Sequence, residues 1–262
     1  MLNEIHLGDC KDVIPKLPDN SIRACITSPP YAMQRKLYNS ISEKDYPQWT
    51  VNWMETLKPK MVFDGSVLIV IRAHVCKGQV SDYVLRTRLA VREAGWIECE
   101  ELIWFKPDAP PLGSILRHRR VWESLLWFSL THKPFIDLRA CGNQKSKKLG
   151  GFSGSSRFGQ GGDSPIHLGQ SDAFHEGTSR CTDAFTAHIS DISRGVLHPA
   201  MYPTSLADQL IKTFSEENNV VLDPFSGSGT TCIVAKQLGR QFIGCDLSED
   251  YVKLSRERLG KM

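Results

Sequence analysis

The sequence predicts an α/β protein in which a sheet is layered with helices, and three observations predict it. Strand-like apolar runs alternate with segments of helical periodicity along most of the 262 residues. The run Val67-Leu68-Ile69-Val70-Ile71 is continuous, as in strands buried on both faces. Near the end, Val220–Asp246 reads as strand, glycine-rich loop, helix, strand and acid, the layout of a nucleotide-type site.

Taken in order, Asn3–Leu7 is a short strand entering Gly8-Asp9-Cys10, followed by a helical turn over Lys11–Leu17 that Pro18-Asp19-Asn20 stops. Ile22–Thr27 is a buried strand ending in Ser28-Pro29-Pro30-Tyr31, and Ala32–Lys44 is a polar loop beside it. From Tyr46 to about Val62 the apolar spacing is helical, with Pro59 kinking or ending the helix and Gly65 closing the segment. Ser66–Arg72 is a strand and Val80–Ala94 an amphipathic helix stopped by Gly95. Trp96–Phe105 and Val121–Leu130 are strands joined by the exposed basic connection Pro107–Arg120. Gly142–Gly195 lacks apolar periodicity and reads as an inserted recognition region. Order returns with a helix over Leu206–Glu216, N-capped by Thr204 or Ser205. Then come a strand at Asn219–Leu222, a helix from Thr231 to Leu238, a strand at Gln241–Cys245 and a last helix at Glu249–Leu259.

Composition narrows the function classes. No apolar stretch reaches membrane-spanning length, and the N-terminus lacks the profile of a signal peptide, so a cytoplasmic protein is expected. The eight cysteines are scattered without a C-x-x-C pair or a nearby histidine at ligand spacing, which argues against a zinc site and for ordinary core thiols. The net charge is only +3, but Lys106–Lys148 holds nine Lys or Arg against three acids, the footprint expected for a polyanion.

The proline corner is the first candidate site. Consecutive prolines fix φ, remove two backbone donors and end the strand in a stiff ledge, with Ser28 held extended by the proline after it. Open α/β sheets place their chemistry at such strand ends. Ser28 offers a hydroxyl, Pro29 a free carbonyl and Tyr31 a flat ring, a set suited to a planar ligand bearing an exocyclic amine.

The glycine loop is the second. Gly227 and Gly229 allow close backbone approach to a ligand, and Asp246 is placed to accept both hydroxyls of a ribose. A phosphate-binding NTPase loop needs a lysine after its last glycine, and here Thr230 and Thr231 follow. A nicotinamide loop wants a third glycine or alanine where Cys232 stands. Asp223 before the glycines suits a ligand carrying an ammonium and a sulfonium better than a pyrophosphate, which points to S-adenosylmethionine.

Asp223-x-Phe225-x-Gly227-x-Gly229 together with Ser28-Pro29-Pro30-Tyr31 resembles the amino-group DNA methyltransferases of the permuted (beta) arrangement. Gly8-Asp9-Cys10, Ile103-Trp104-Phe105-Lys106-Pro107 and His198-Pro199-Ala200-x-x-Pro203 match further family strings in the same order. The resemblance implies a Rossmann-like, S-adenosylmethionine-dependent methyltransferase fold with a mixed, largely parallel sheet, helices on both faces and a circularly permuted order. It divides the chain into a catalytic half (1–135), a target-recognition insertion (136–197) and a cofactor half (198–262). It also implies that Ser28 and the Pro29 carbonyl accept hydrogen bonds from the target amine, that Pro30 shapes the ledge, and that Tyr31 stacks on a base flipped from double-stranded DNA. For the cofactor it places Asp223 near the methionine end, Phe225 against the ligand, Asp9 and Cys10 at the adenine, and Pro203 and Thr204 near the methionine carboxylate. A serine at the head of the corner favours N4 of cytosine; the alternatives are N6 of adenine in the same class and, more distantly, RNA. A cognate restriction endonuclease and a monomeric or homodimeric state belong to the same expectation.

Overall fold

A computed structural model describes residues 1–33, 41–111, 116–141, 180–191 and 201–261. Much of the expected insertion (142–179 and 192–197), His198-Pro199-Ala200 and most of the Ala32–Lys44 loop (34–40) lie outside the described residues.

In chain order the strands are β1 (Glu4–Leu7), β2 (Ile22–Thr27), β3 (Met61–Ile71), β4 (Val75–Cys76), β5 (Gln79–Val80), β6 (Ile97–Phe105), β7 (Trp122–Ser129), β8 (Ala184–Thr186), β9 (Val220–Asp223) and β10 (Gln241–Asp246). The helices are α1 (Cys10–Val13), α2 (Tyr46–Leu57), α3 (Tyr83–Glu93), α4 (Thr204–Phe214), α5 (Thr230–Gln237) and α6 (Glu249–Gly260). Among the described residues eight strands form one sheet in the order β1-β10-β9-β2-β3-β7-β6-β8, and β4 and β5 form a separate hairpin. From β1 to β3 every pairing is parallel; β7 runs antiparallel to both β3 and β6, and β8 is parallel to β6.

The apolar periodicity sorts the helices onto two faces. Trp53, Met54 and Leu57 of α2 and Tyr83 and Val91 of α3 pack on one side with Cys25, Val67 and Ile69. Leu206, Leu210 and Phe214 of α4, Val234 of α5 and Val252 of α6 cover the other with Ile26, Leu68 and Val221. Sandwiched in this way, β3 is buried at every position from Gly65 to Ile71, as the Val67–Ile71 run required. No helix among the described residues is long and apolar enough to cross a membrane.

Several local expectations are corrected. Gly65 does not close the helical segment but lies inside β3, because a Cβ there would stand 2.7 Å from Met61 Cε and 2.9 Å from the Arg23 carbonyl oxygen. The helix ends at Leu57, and Pro59 sits in a 3-10 turn before β3. Helix α3 starts at Tyr83 rather than Val80, since Gln79 and Val80 pair with Val75 and Cys76 across a turn with positive φ at Lys77 and Gly78. Neither Thr204 nor Ser205 caps α4: extended Pro203 precedes its first residue Thr204, and Ser205 instead donates to Asp191 at 2.8 Å. Within the expected insertion, Ala184–Thr186 joins the main sheet as its edge strand, in register with Ile103–Phe105.

The topology fixes where a ligand can bind. From β9 the chain passes through α5 to β10 on one side; from β2 it passes through α2 to β3 on the other. Connections that leave neighbouring parallel strands in opposite directions open a crevice at their carboxyl ends. Asp223 and Thr27 end those two strands.

Candidate active site

The two sequence motifs, almost 200 positions apart (223 against 27), meet in that crevice through a direct bond. Thr27 Oγ1 donates to Asp223 Oδ1 at 2.7 Å, both residues being buried. Thr231 Oγ1, in the first turn of α5, donates to Asp223 Oδ2 at 2.5 Å, and its hydroxyl is also paired with that of Tyr202. Burial pushes the Asp223 carboxyl up to about 6 from its ordinary 3.8, while the Thr231 and Thr27 hydrogen bonds pull the other way.

Beside this strut lies a cavity of about 290 Å³, close to the lower end of small-molecule sites. Pro30 of the proline corner shares its wall with Asp9 and Cys10 after β1, Phe225 after β9, Asp246 at the end of β10 and Leu247 after it. Asp246 Oδ2 accepts from the Gly227 amide and Oδ1 from the Ser248 amide, both at 2.9 Å, which fixes the carboxylate at the wall. Asp9 caps α1 by accepting from the Lys11 amide at 2.9 Å. Burial raises the Cys10 thiol, with Asp9 adding to the effect, so Cys10 contributes a neutral apolar surface.

The loop that holds Asp246 depends on Gly229. Its φ of 81° is left-handed, and a Cβ there would lie 2.8 Å from Ser255 Cβ on α6. Gly227 serves through its amide; neither glycine belongs to the cavity wall. Asp223 is likewise behind the wall rather than in it, and Pro203 and Thr204 lie at the start of α4.

At the corner, Pro29 and Pro30 are buried while Ser28 and Tyr31 are half-buried. Tyr31 Oη donates to Glu123 Oε2 at 2.5 Å, and Lys106 Nζ donates to Glu123 Oε1 at 2.5 Å. Lys106, counted in the sequence as part of a phosphate-facing stretch, is therefore buried and ion-paired; its ammonium lies 4.6 Å from the Trp104 ring centroid. Residues 116–120 and Lys133 of that stretch are exposed; Arg120 donates to the Ala73 carbonyl at 2.5 Å and Arg117 to that of Gly78. Residues 112–115 and Lys145, Lys147 and Lys148 lie outside the described residues.

Sequence reasoning passed over Trp49, Ile41, Thr27, Thr231 and Glu123. Trp49 and Trp53 flank Phe225 with ring centroids 5.4 and 5.5 Å away, so α2 buttresses the aromatic wall of the cavity. Their helical spacing reveals burial but not the partner. Thr27 and Thr231 adjoin the two motifs, and that adjacency is the one local signal that could have found them.

The family model for DNA methylases, N6_N4_Mtase, matches residues 22–257. This chain belongs to the DNA methylase family. Among its relatives, the type II methyltransferase M.BglII from Bacillus subtilis is 26% identical over 262 residues, spanning 98% of this chain and 69% of that protein. M.PvuII from Proteus hauseri is 26% identical over 279 residues, spanning 97% and 82%. The solved structure of PvuII DNA methyltransferase (cytosine-N4-specific) superposes with a TM-score of 0.74 at 23% identity, covering 97% of this DNA methylase and 85% of that chain. The M1.HpyAVI–SAM complex superposes with a TM-score of 0.64 at 19% identity, covering 98% of each chain. The shared architecture is the mixed, largely parallel methyltransferase sheet with helices on both faces.

Proposed function

We propose that this DNA methylase transfers a methyl group from S-adenosylmethionine to N4 of cytosine in double-stranded DNA, within a restriction-modification context. The observation that carries the reading is the common wall: Pro30 of the catalytic corner and Asp9, Phe225 and Asp246 of the cofactor side border one cavity. The wall suits the cofactor chemically, since a fixed carboxylate can accept ribose hydroxyls and an aromatic and aliphatic surface can take an adenine. The serine at the head of the corner, and the cytosine-N4 specificity named for the PvuII enzyme, favour cytosine over adenine.

S-adenosylmethionine, when bound, supplies an electrophilic methyl group. This chain's residues supply alignment and polarity. An exocyclic amine is a weak nucleophile because its lone pair is delocalised into the ring. Ser28 Oγ and the Pro29 carbonyl accept the amino hydrogens and favour the pyramidal nitrogen, while Tyr31 supports the ring of the extruded base. Neutral acceptors suffice, because the proton becomes acidic only once the nitrogen carries positive charge. The exposed arginines 117, 119 and 120 face outward as phosphate contacts, which makes DNA binding salt-sensitive.

Incubation with methyl-labelled S-adenosylmethionine and unmethylated DNA, followed by nucleoside mass analysis, tests the reading. N4-methylcytosine is the expected product. N6-methyladenine would overturn the base assignment, and labelling of RNA in preference to DNA would overturn the substrate.

A further inference from the structure

The end of the sheet that carries the proline corner also carries a hairpin and a cluster of cations. β3 lies next to β2 in parallel register, Ile69 against Thr27, so the chain leaves β3 at the same end as Ser28–Tyr31. There it forms the β4–β5 hairpin, with Val75 paired to Val80 and Cys76 to Gln79. β7 runs antiparallel to β3, with Ser124 against Ile71, so the basic connection 116–120 arrives at that end as well. The two pieces are joined. Arg117 donates to the Gly78 carbonyl at the hairpin tip, and Arg120 to the Ala73 carbonyl at its base at 2.5 Å.

The hairpin is not one that its own residues favour. Its two-residue turn, Lys77-Gly78, has positive φ at both positions, 48° and 81°. Such turns take Asn-Gly readily, whereas a lysine bears the steric cost of a Cβ in the left-handed region. A lone two-stranded hairpin is also marginal in water. Every residue from Cys76 to Val80 is exposed, so burial offsets little of this, and the two arginine bonds hold the hairpin instead. The lysine is thereby set at the tip, next to the glycine whose carbonyl Arg117 holds.

The charge of this rim is not neutralised. Lys77, Arg117, Arg119 and Arg120 are all exposed, and among the described residues none has a carboxylate within ion-pair distance. On α3, by contrast, Arg86 is paired with Asp82, and Arg88 with Glu98 and Glu101. A guanidinium that gives one hydrogen to a carbonyl keeps four others for a second partner. Clustered cations without counter-charges repel one another and attract a polyanion. We infer that the β4–β5 hairpin and residues 116–120 form one clamp for the DNA backbone, with Lys77 at its tip and Arg117 as its brace, seating duplex phosphates beside the proline corner. The inference rests on the function proposed above and deepens it: DNA is gripped by an element outside the expected recognition insertion. A two-stranded ribbon is of a size that a duplex groove admits.

The test uses the full chain and a fluorescent, unmethylated duplex of mixed sequence, with Kd read by anisotropy across a salt series. Lys77→Asn suits the turn and deletes the charge, so folding is not at risk. One phosphate contact contributes a slope of roughly 0.9 in log Kd against log salt. The variant is therefore expected to lose about that much slope and to bind roughly eightfold more weakly near about 0.1 M salt. Arg117→Ala frees the tip as well as deleting its own charge. It should lose about twice that slope, and adding Lys77→Asn should change it little further, because the two residues act as one unit. Cofactor Kd and kcat at saturating DNA should match wild type throughout, since the clamp touches neither the cofactor nor the reacting atoms. Arg86→Gln, at a paired arginine on α3, controls for net charge and should keep the wild-type slope. A wild-type slope in Lys77→Asn, an equal loss in Arg86→Gln, losses that add in full in the double variant, or a fall in kcat with DNA Kd unchanged would each overturn the clamp. A wild-type chain that methylates no DNA would overturn the underlying function as well, so the wild-type control tells the two failures apart.

Discussion

Asp223 and Asp246 end neighbouring strands of the same sheet, on either side of one glycine loop, yet they face different tasks. Asp246 sits in the cavity wall with its carboxylate oriented by the Gly227 and Ser248 amides. Asp223 lies behind the wall, 2% exposed, with its oxygens taken by Thr27, Thr231 and the Phe225 amide. The difference follows from their neighbours in the sheet. β10 is flanked by β9 and β1, whose following loops open around the cavity, whereas β9 borders β2 at the point where the catalytic corner begins. An acid at a strand's carboxyl end thus becomes a ligand-facing group or a strut according to what the adjacent strand presents. Asp223 is the strut: it ties the corner strand to the start of α5 after the glycine loop.

The largest effect expected from this contrast is on the pH dependence of stability. The Asp223 carboxyl is raised to about 6 in the fold against an ordinary 3.8, so the folded chain binds the extra proton between those values. Stability should therefore rise as pH falls from about 6 toward about 4, by on the order of 3 kcal/mol from this group. Urea unfolding of wild type and Asp223→Asn across pH 4–7 isolates it: the difference between the two should shift in favour of wild type as the medium is acidified. A constant difference, or one moving the other way, would remove the buried-charge account of Asp223.

Next in size is the loss of Asp246. Asp246→Ala should weaken S-adenosylmethionine binding roughly tenfold to a hundredfold, the range for losing hydrogen bonds to a charged acceptor, as read by calorimetric titration. Unchanged affinity would take Asp246 out of the site. Gly229→Ala should then cost about 1–3 kcal/mol of stability, because it combines a left-handed backbone with a 2.8 Å approach to Ser255 Cβ; thermal unfolding reads it. The smallest effect sharpens the comparison most. Asp223→Asn should leave cofactor Kd within about twofold of wild type, since no atom of a strut needs to touch the ligand. A loss matching that of Asp246→Ala would place both acids at the ligand and erase the distinction.

The parts of the site that were legible in sequence are those whose physics is local. Two prolines end β2 wherever the strand lies, and a strand followed by glycines and a helix defines its own turn, so Ser28–Tyr31 and Phe225–Gly229 could be found without coordinates. Asp223 is legible for the same reason, but its hydrogen-bond partner Thr27 is not, because another strand supplies it. In sequence Lys106 reads as a surface cation, since a lysine in a basic run gives no hint of a carboxylate on the next strand. In sequence Gly65 reads as the close of the helical segment; only the packing of Arg23 and Met61 shows why a side chain is excluded there.

By itself, then, the sequence determined the class of fold, the two motifs and the order in which they occur, because backbone restriction, apolar periodicity and turn chemistry act over a few residues. The tertiary structure alone decided which acid faces the cavity, which aromatic rings wall it, and that Tyr31 of the proline corner bonds to Glu123. Those outcomes depend on strand order and register, which bring together side chains such as Thr27 with Asp223 and Tyr31 with Glu123. No local rule encodes the alignment of residues that far apart in the chain.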